Sequence, residues 1–271
     1  MLKKLYKIEL LKLLPLGAFK AILIIHFALY ILVLTLSTQI NIQIPGLDFS
    51  KIYSFPNIWN LSTWLASWFN ILLTLLMIIF IGNEFSQKTF RQAVIDGLKR
   101  EELIYGKSIV IIILSLYTFV LVFLSTIVMG LFTTDQINFA DIFNKSYYIL
   151  IYFIQAIGYL TIGMFFIVLF KNTGLSILFF ILYFFPVEPM IRLFLPDSVS
   201  AFFPMKILSN LTPAPGFDSI SDDKFMTQNF NMPQNAHIAE TSYNWTNLAV
   251  AISYIAVFWF ISYLLIKKRD L

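Results

Sequence analysis

Long apolar runs alternate with short charged stretches along the whole chain. Five runs carry at most one charge each: residues 21–50, 52–83, 108–134, 146–170 and 241–266. Each contains the roughly 20 apolar residues that a helix needs to cross about 30 Å of hydrocarbon, and none alternates as barrel strands do. A shorter run, 172–187, ends at Glu188. The pattern predicts an all-α membrane protein in one domain, 1–271, with six spans at about 20–39, 60–82, 108–132, 147–170, 174–194 and 246–266.

Composition supports a membrane protein and excludes several kinds of chemistry. Charged residues make up 13% of the chain, against about a quarter in soluble proteins. The chain contains no cysteine, which excludes disulfides and thiol catalysis, and its two histidines, His26 and His237, have no neighbour at metal-ligand spacing. We therefore expect no metal or cofactor in this chain.

Basic residues are concentrated on one side of the predicted bundle. With six spans, 14 of the 19 lysines and arginines fall on the side that holds both termini and the connection between spans two and three. Cytoplasmic segments carry this excess, so we predict a multi-pass protein of a bacterial plasma (inner) membrane with both termini inside. Trp59, Trp64 and Trp68 then begin the second span at the outer interface.

Residues 1–15 form a separate amphipathic segment. Leu5, Leu10 and Leu13 share one side of a helical wheel, the lysines lie opposite, and Pro15 ends the pattern. This favours a helix lying in the inner membrane interface. Glu9 falls within the apolar arc and interrupts it. An ordinary basic flank that orients the first span is the alternative.

The connection between spans two and three concentrates charge. Residues 82–107 carry nine charged side chains in 26 positions. Thr89 can cap a short helix with Phe90 and its apolar neighbours on one face, Asp96-Gly97 ends that helix, and a new one starts near Arg100. Two interpretations stay open: a helix that docks a cytoplasmic partner, or a solvated turn.

This connection carries a resemblance to a known family. The run "NEFSQKTFRQAVIDGLKREELIYGK" after a hydrophobic span resembles the type-2 ABC transporter permeases, and "FPNIWNLSTWLAS" resembles a Bacteroidetes-like group of them. Many members have Pro where this chain has Asp96-Gly97. The resemblance implies a non-enzymatic permease subunit, dimeric with itself or a sister permease. It would export a hydrophobic or amphipathic substrate by alternating access, with ATP and magnesium held by separate ATPase subunits. The chain itself has no Walker lysine motif.

The resemblance also assigns roles to residues of the connection. In that family it forms a coupling helix that sits in a cleft of the ATPase. The positions that match the contact are Glu84, Phe85, Lys88, Thr89, Phe90, Arg91 and Gln92. Those that match the trailing part, and would anchor the loop to the third span, are Arg100, Gly106 and Lys107.

The fifth span and the segment after it hold the remaining candidate site. Pro186 and Pro189 flank Glu188 and indicate a broken helix, with Arg192 one turn later. We interpret Glu188 and Arg192 as an i, i+4 ion pair, with an outer gate as the second possibility. Within the outer segment 195–245, "SAFFPMKILSNL" is apolar enough to dip into the membrane, and the resemblance implies short re-entrant helices there.

Two other function classes compete with a permease. An intramembrane enzyme would use Glu188 or His26, but such sites bring several ionisable groups to one depth. An ion-coupled secondary transporter would show inverted repeats with paired broken helices. We expect His26, Asn70 and Gln155 to make hydrogen bonds between helices.

Overall fold

The computed structural model describes residues 2–39, 43–44, 47–48, 50–134, 138–215 and 245–268, and over these it is almost entirely α-helical. Six helical segments are long and apolar enough to cross a membrane, which confirms the predicted number. They are α2 (Gly17–Ser37), α4 (Ile58–Ser86), α6 (Arg100–Thr133), α8 (Tyr147–Phe170), α9 (Thr173–Leu182) continued by a π-helical turn (Tyr183–Val187) and α10 (Glu188–Leu193), and α13 (Trp245–Lys268).

Short elements join these spans. They are α1 (Leu2–Leu13), strands β1 (Gln43–Ile44) and β2 (Leu47–Asp48), α3 (Ser50–Tyr53), α5 (Thr89–Ile95), α7 (Phe139–Phe143), α11 (Asp197–Ser200) and α12 (Pro204–Ser209). The strands pair antiparallel, with Ile44 opposite Leu47. The predicted outer segment and His237 lie partly or wholly outside the described residues.

Helices α4 and α6 are longer than the predicted spans. At about 1.5 Å per residue, their 29 and 34 residues extend about 43 and 51 Å, well beyond the hydrocarbon core. The extra turns of both helices continue on the side that carries α1 and α5. The charged residues of the connection are therefore on rigid helix extensions as well as in a loop.

The fourth span is the centre of the bundle. Helix α8 packs against α4, α6 and α13. In the most apolar stretch of the fourth span 67% of the residues are buried, against 17% in each of the first, fifth and sixth spans. The exposed residues of these outer spans are mostly large and apolar, as a lipid-facing surface requires. The low burial leaves a wide apolar surface for lipid or for another membrane subunit.

A glycine allows the two central helices to approach closely. A Cβ at Gly163 of α8 would lie 2.7 Å from Thr74 Cγ2 and 3.1 Å from the backbone oxygen of Thr74 in α4. Small residues at such positions are the usual means by which membrane helices come into close contact.

The fifth span remains helical through its prolines. Pro186 lacks an N–H, and the chain widens there into the π-helical turn before resuming as α10. The predicted break is thus a local widening. The three tryptophans lie in the first turns of α4: Trp59 is buried and its Nε1–H donates to Ile142 O at 2.7 Å, Trp64 is half-buried and Trp68 is exposed. Their position at the outer interface stays a prediction.

The bundle has two chemically different ends. At the charged end, defined by α1, α5 and the last turn of α13, Lys267 Nζ lies 2.8 Å from Glu101 Oε1. At the far end, defined by α3, α7, α11 and α12, Tyr254 donates to Phe202 O at 2.6 Å and Lys145 donates to Asn57 Oδ1 at 3.2 Å.

We predict that Gly163→Ala lowers the free energy of unfolding by about 1–3 kcal/mol, because the added methyl must displace the backbone of α4. Thermal unfolding in detergent micelles measures this change. Gly17→Ala is the matched control, since a Cβ at Gly17 has no atom within 4 Å. Equal midpoints for the two variants would contradict the close approach of α4 and α8.

Candidate functional site

The charged connection folds into the short helix α5, held between two sharp turns. Lys88 adopts a left-handed conformation with φ of +55° and turns the chain after α4. Gly97, with φ of +95°, follows α5, and α6 begins at Arg100, so both predicted boundaries are confirmed. The predicted Thr89 cap is wrong: Lys88 occupies the N-cap position, and the Thr89 hydroxyl donates to Glu84 O at 3.2 Å.

Helix α5 has one face inside the protein and one in solvent. Phe90 is 2% exposed, and its ring lies 4.6 Å from that of Phe85. Arg91, Gln92 and Ile95 are exposed, and Gln92 Nε2 donates to Asp96 Oδ1 at 2.9 Å. The amphipathic arrangement predicted from the sequence is therefore present, with its polar face open.

A cluster of opposite charges lies directly beneath α5. Lys107 of α6 is fully buried, and its Nζ lies 2.5 Å from Glu9 Oε2 and 2.6 Å from Glu84 Oε1. The two carboxylates come from α1 and from the end of α4, and both are more than nine-tenths buried. We call Glu9, Lys12, Glu84 and Lys107 the charge cluster.

The charge cluster is electrically balanced and enclosed by aromatic rings. Lys12 Nζ lies 3.3 Å from Glu84 Oε1 and 3.7 Å from Glu9 Oε1, which gives two cations and two anions. Lys107 Nζ also lies 4.6 Å from the ring centre of Phe80 and 5.5 Å from that of Phe90. A buried charge is tolerated only with such partners, so the cluster determines how α1, α4, α5 and α6 fit together.

Glu9 was missed as a site residue by sequence reasoning. Its position in the apolar arc of α1 was the available signal, and the structure explains it, since that arc faces α6 and Lys107. A Cβ at Gly106 would lie 3.0 Å from Glu9 Oε1, so the glycine leaves room for the carboxylate. Gly106 and Lys107, predicted to anchor the loop, thus both contact α1.

The predicted coupling residues divide into three groups by burial. Glu84 and Phe90 face the protein interior and contact their own chain, because Glu84 neutralises Lys107 and Phe90 covers it. Lys88, Arg91 and Gln92 are exposed, whereas Phe85 and Thr89 are half-buried. Arg100 Nη1 donates to Lys267 O at 3.1 Å and so joins the start of α6 to the end of α13.

The second predicted site has different partners from those expected. Glu188, 1% exposed, accepts hydrogen bonds from the backbone N–H groups of Met205 at 3.1 Å and Lys206 at 2.8 Å. Among the described residues it makes no ion pair with Arg192, so the predicted pair is wrong. The reason is that the first N–H groups of α12 have no partner within their own helix and face Glu188.

Of the three interior polar side chains predicted to bond between helices, Gln155 and Asn70 do so and His26 does not. Gln155 Nε2 donates to Leu208 O at 2.8 Å, and Tyr152 donates to Asn70 Oδ1 at 3.3 Å, as predicted. His26 is buried between the rings of Phe69 and Tyr117, and neither ring nitrogen has a hydrogen-bond partner. The expected helix–helix hydrogen bond of His26 is therefore absent. Within the described ranges no group of three potential ligands could hold a metal.

An aromatic cavity of about 230 Å³ lies toward the far end, between α4, α8 and the fifth span. Trp64, Trp68, Tyr159, Phe184 and Phe185 form most of its wall. The serine hydroxyls beside it, those of Ser67 and Ser209, already donate to Trp64 O and Lys206 O. The cavity therefore suits an apolar group.

We predict that Lys107→Met lowers the free energy of unfolding by about 3–5 kcal/mol, because two buried carboxylates lose their shared cation. The triple variant Glu9→Met, Glu84→Met and Lys107→Met should regain most of that loss, since the one charge of the cluster that remains, Lys12, is 29% exposed and can reach water. Lys20→Met, which removes an exposed lysine, is the control in thermal unfolding. A triple variant less stable than Lys107→Met would contradict this description.

We also predict that Glu188→Gln destabilises the protein by about 1–3 kcal/mol, because one of the two backbone N–H groups then faces an NH2 group and the other keeps only a neutral acceptor. Arg192→Gln should have a smaller effect. Amide exchange of residues 204–209 reports the local loosening in each variant. Equal effects of the two variants would instead favour the ion pair.

Comparison with known proteins gives one match. The family model described as ABC-2 family transporter protein matches residues 80–271, well over half of the chain. A search of curated proteins found no match. The matched range begins in the last turns of α4 and includes α5, Glu84 and Lys107, but leaves Glu9 outside. It confirms the resemblance to type-2 ABC permeases, while the narrower Bacteroidetes-like likeness stays a prediction. The chain therefore belongs to the ABC-2 family of transporter proteins and is a membrane subunit of an ABC transporter.

Proposed function

We propose that this subunit couples to its ABC ATPase through α5 and exports a hydrophobic or amphipathic substrate by alternating access. The observation that carries the proposal is the rigid mounting of α5, whose outer face is open while its inner face is fixed on the charge cluster. A helix held in this way can pass on the movement of a partner.

The charge distribution supports a cytoplasmic position for α5. In the described bundle α5 lies at the charged end, together with α1 and the last turn of α13. Segments rich in lysine and arginine stay on the cytoplasmic side during insertion into the bacterial plasma membrane. ATP is hydrolysed in the cytoplasm, so this is the side on which a separate ATPase must dock.

The outer face of α5 suits a groove in another protein. Ile95 is 72% exposed and places one large apolar side chain on this otherwise polar face. Arg91 and Gln92 lie beside it on the open face, and Lys88 precedes the helix. An apolar anchor with charged neighbours is the pattern by which short amphipathic helices bind partner grooves.

The mounting of α5 supports mechanical transmission to the spans. The contact between Phe85 and Phe90 joins α5 to α4, and Leu98 N–H donates to Ala93 O at 3.0 Å just before α6 begins. A tilt imposed on α5 would therefore move the long helices α4 and α6 as levers.

Export requires a second permease subunit and an apolar route for the substrate. One six-span subunit supplies half of a pathway by analogy with symmetric transporters, so we expect a dimer with itself or a sister subunit. The aromatic cavity near Phe184 and the wide apolar surfaces favour a hydrophobic or amphipathic substrate.

The competing functions have weaker support. As a catalytic group Glu188 would need a free carboxylate, but both of its oxygens accept backbone hydrogen bonds. His26 lies in another span, α2, and neither of its ring nitrogens has a hydrogen-bond partner. An ion-coupled carrier would need paired interruptions, and among the described spans the π-helical turn occurs in the fifth.

We predict that Arg91→Glu and Ile95→Asp each weaken association with the ATPase about tenfold or more, because both change the open face without touching the charge cluster. The measurement is co-purification of a Walker-motif subunit, identified by mass spectrometry and quantified per permease. Lys7→Glu is the control at the same end of the bundle. Unchanged association in both variants would overturn the proposal.

A further inference from the structure

The N-terminal helix α1 lies outside the family-matched range, yet it supplies half of the acids that neutralise Lys107. We propose that Glu9 makes α1 part of the coupling device by holding Lys107 and thereby locking α5 onto α6. In this arrangement α1, α5 and the first turns of α6 move as one body. The inference rests on the proposed coupling role of α5.

The first observation behind the inference is that a buried ammonium group needs hydrogen-bond acceptors. Lys107 has three N–H donors and no contact with solvent, and its two carboxylate acceptors are Glu9 and Glu84 at nearly equal distances. Without Glu9 the ammonium would keep one carboxylate. Glu84 is itself incompletely satisfied, because its Oε2 has no hydrogen-bond partner. Displacing α1 therefore leaves a buried cation under-coordinated.

The second observation is that the charge cluster contacts α5 directly. The ring of Phe90 in α5 rests 5.5 Å from Lys107 Nζ, and Thr89 Oγ1 donates to the backbone oxygen of Glu84. The first turn of α5 thus depends on where Lys107 and Glu84 are held. Helix α1 does not need to contact α5 directly in order to fix it.

The third observation is the close approach of α1 to α6. Gly106 precedes Lys107, and a Cβ at that position would lie 3.0 Å from Glu9 Oε1 and 3.3 Å from Glu9 Cγ. A lipid-anchored helix that only floated in the interface would not require a glycine opposite a buried glutamate. The geometry therefore points to a fixed contact.

The first test is hydrogen–deuterium exchange on the permease alone, in lipid nanodiscs. Glu9→Gln should accelerate amide exchange in residues 89–95 of α5 about tenfold, together with exchange in α1, because the shared cation loses one of the two negative charges beside it. Lys7→Gln, an exposed charge removal on the same helix, should leave α5 unchanged. Faster exchange confined to α1 would overturn the inference.

The second test restores the contact covalently. The chain has no cysteine, so Glu9→Cys with Gly106→Cys places a single pair where the Cβ at 106 lies 3.3 Å from the position of Glu9 Cγ. This is close to disulfide geometry. The reduced protein should show fast exchange in both α1 and α5. Oxidation should slow exchange in α1 but leave α5 fast, because the disulfide holds α1 on α6 and supplies no carboxylate to Lys107. Return of α5 to the natural rate would show that tethering alone holds α5 and would contradict the role of Glu9.

The third measurement separates this inference from the proposed function. With the Walker-motif ATPase bound, Glu9→Gln should retain association, but permease-stimulated ATP hydrolysis should fall about threefold or more. If Glu9→Gln keeps the full stimulation of ATP hydrolysis, the inference is wrong, although α5 can still dock on the ATPase. If Arg91→Glu still associates normally with the ATPase, the proposed function is wrong. The exchange measurement on the permease alone does not depend on that outcome.

Discussion

A lysine ammonium without access to water is the constraint on which the charged end of this protein depends. Lys107 can remain charged there only if carboxylates reach it, and they come from two elements far apart in sequence, Glu9 and Glu84. That requirement places α1 against α6, sets where α4 must end and provides the base on which α5 rests. The ion cluster thus determines the local architecture, whatever its net contribution to stability.

The two ends of the bundle are fastened by different chemistry. At the charged end, paired ions join α1, α4 and α6, and a second, exposed pair joins Glu101 to Lys267. At the far end, side chains make hydrogen bonds to backbone groups. Glu188 accepts from the first N–H groups of α12, and Gln155 donates to Leu208 O in its last turn. Helix α12 is therefore tied to two spans, while the outer face of α5 is exposed.

The sequence predicted most of the helices and few of their partners. Charge-free runs identified the six spans, and Gly97 marked the end of α5, because both signals are local. Glu9 and Lys107 are 98 residues apart, so only an acid in an apolar arc hinted at their contact. The spacing of Glu188 and Arg192 predicted an ion pair. The first N–H groups of α12, which have no partner in their own helix, donate to the Glu188 carboxylate instead. Tertiary proximity decided both outcomes.

The central claim is that α5 is a lever locked to α1 and α6. Cryo-EM of the assembled transporter in nanodiscs, with and without ATP, measures this most directly. The account predicts that α1, α5 and the first turns of α6 superpose as one body in both states, with Lys107 between Glu9 and Glu84 and Ile95 inside an ATPase cleft. Separation of α1 from α6 between the states, or an α5 surrounded by solvent, would contradict it.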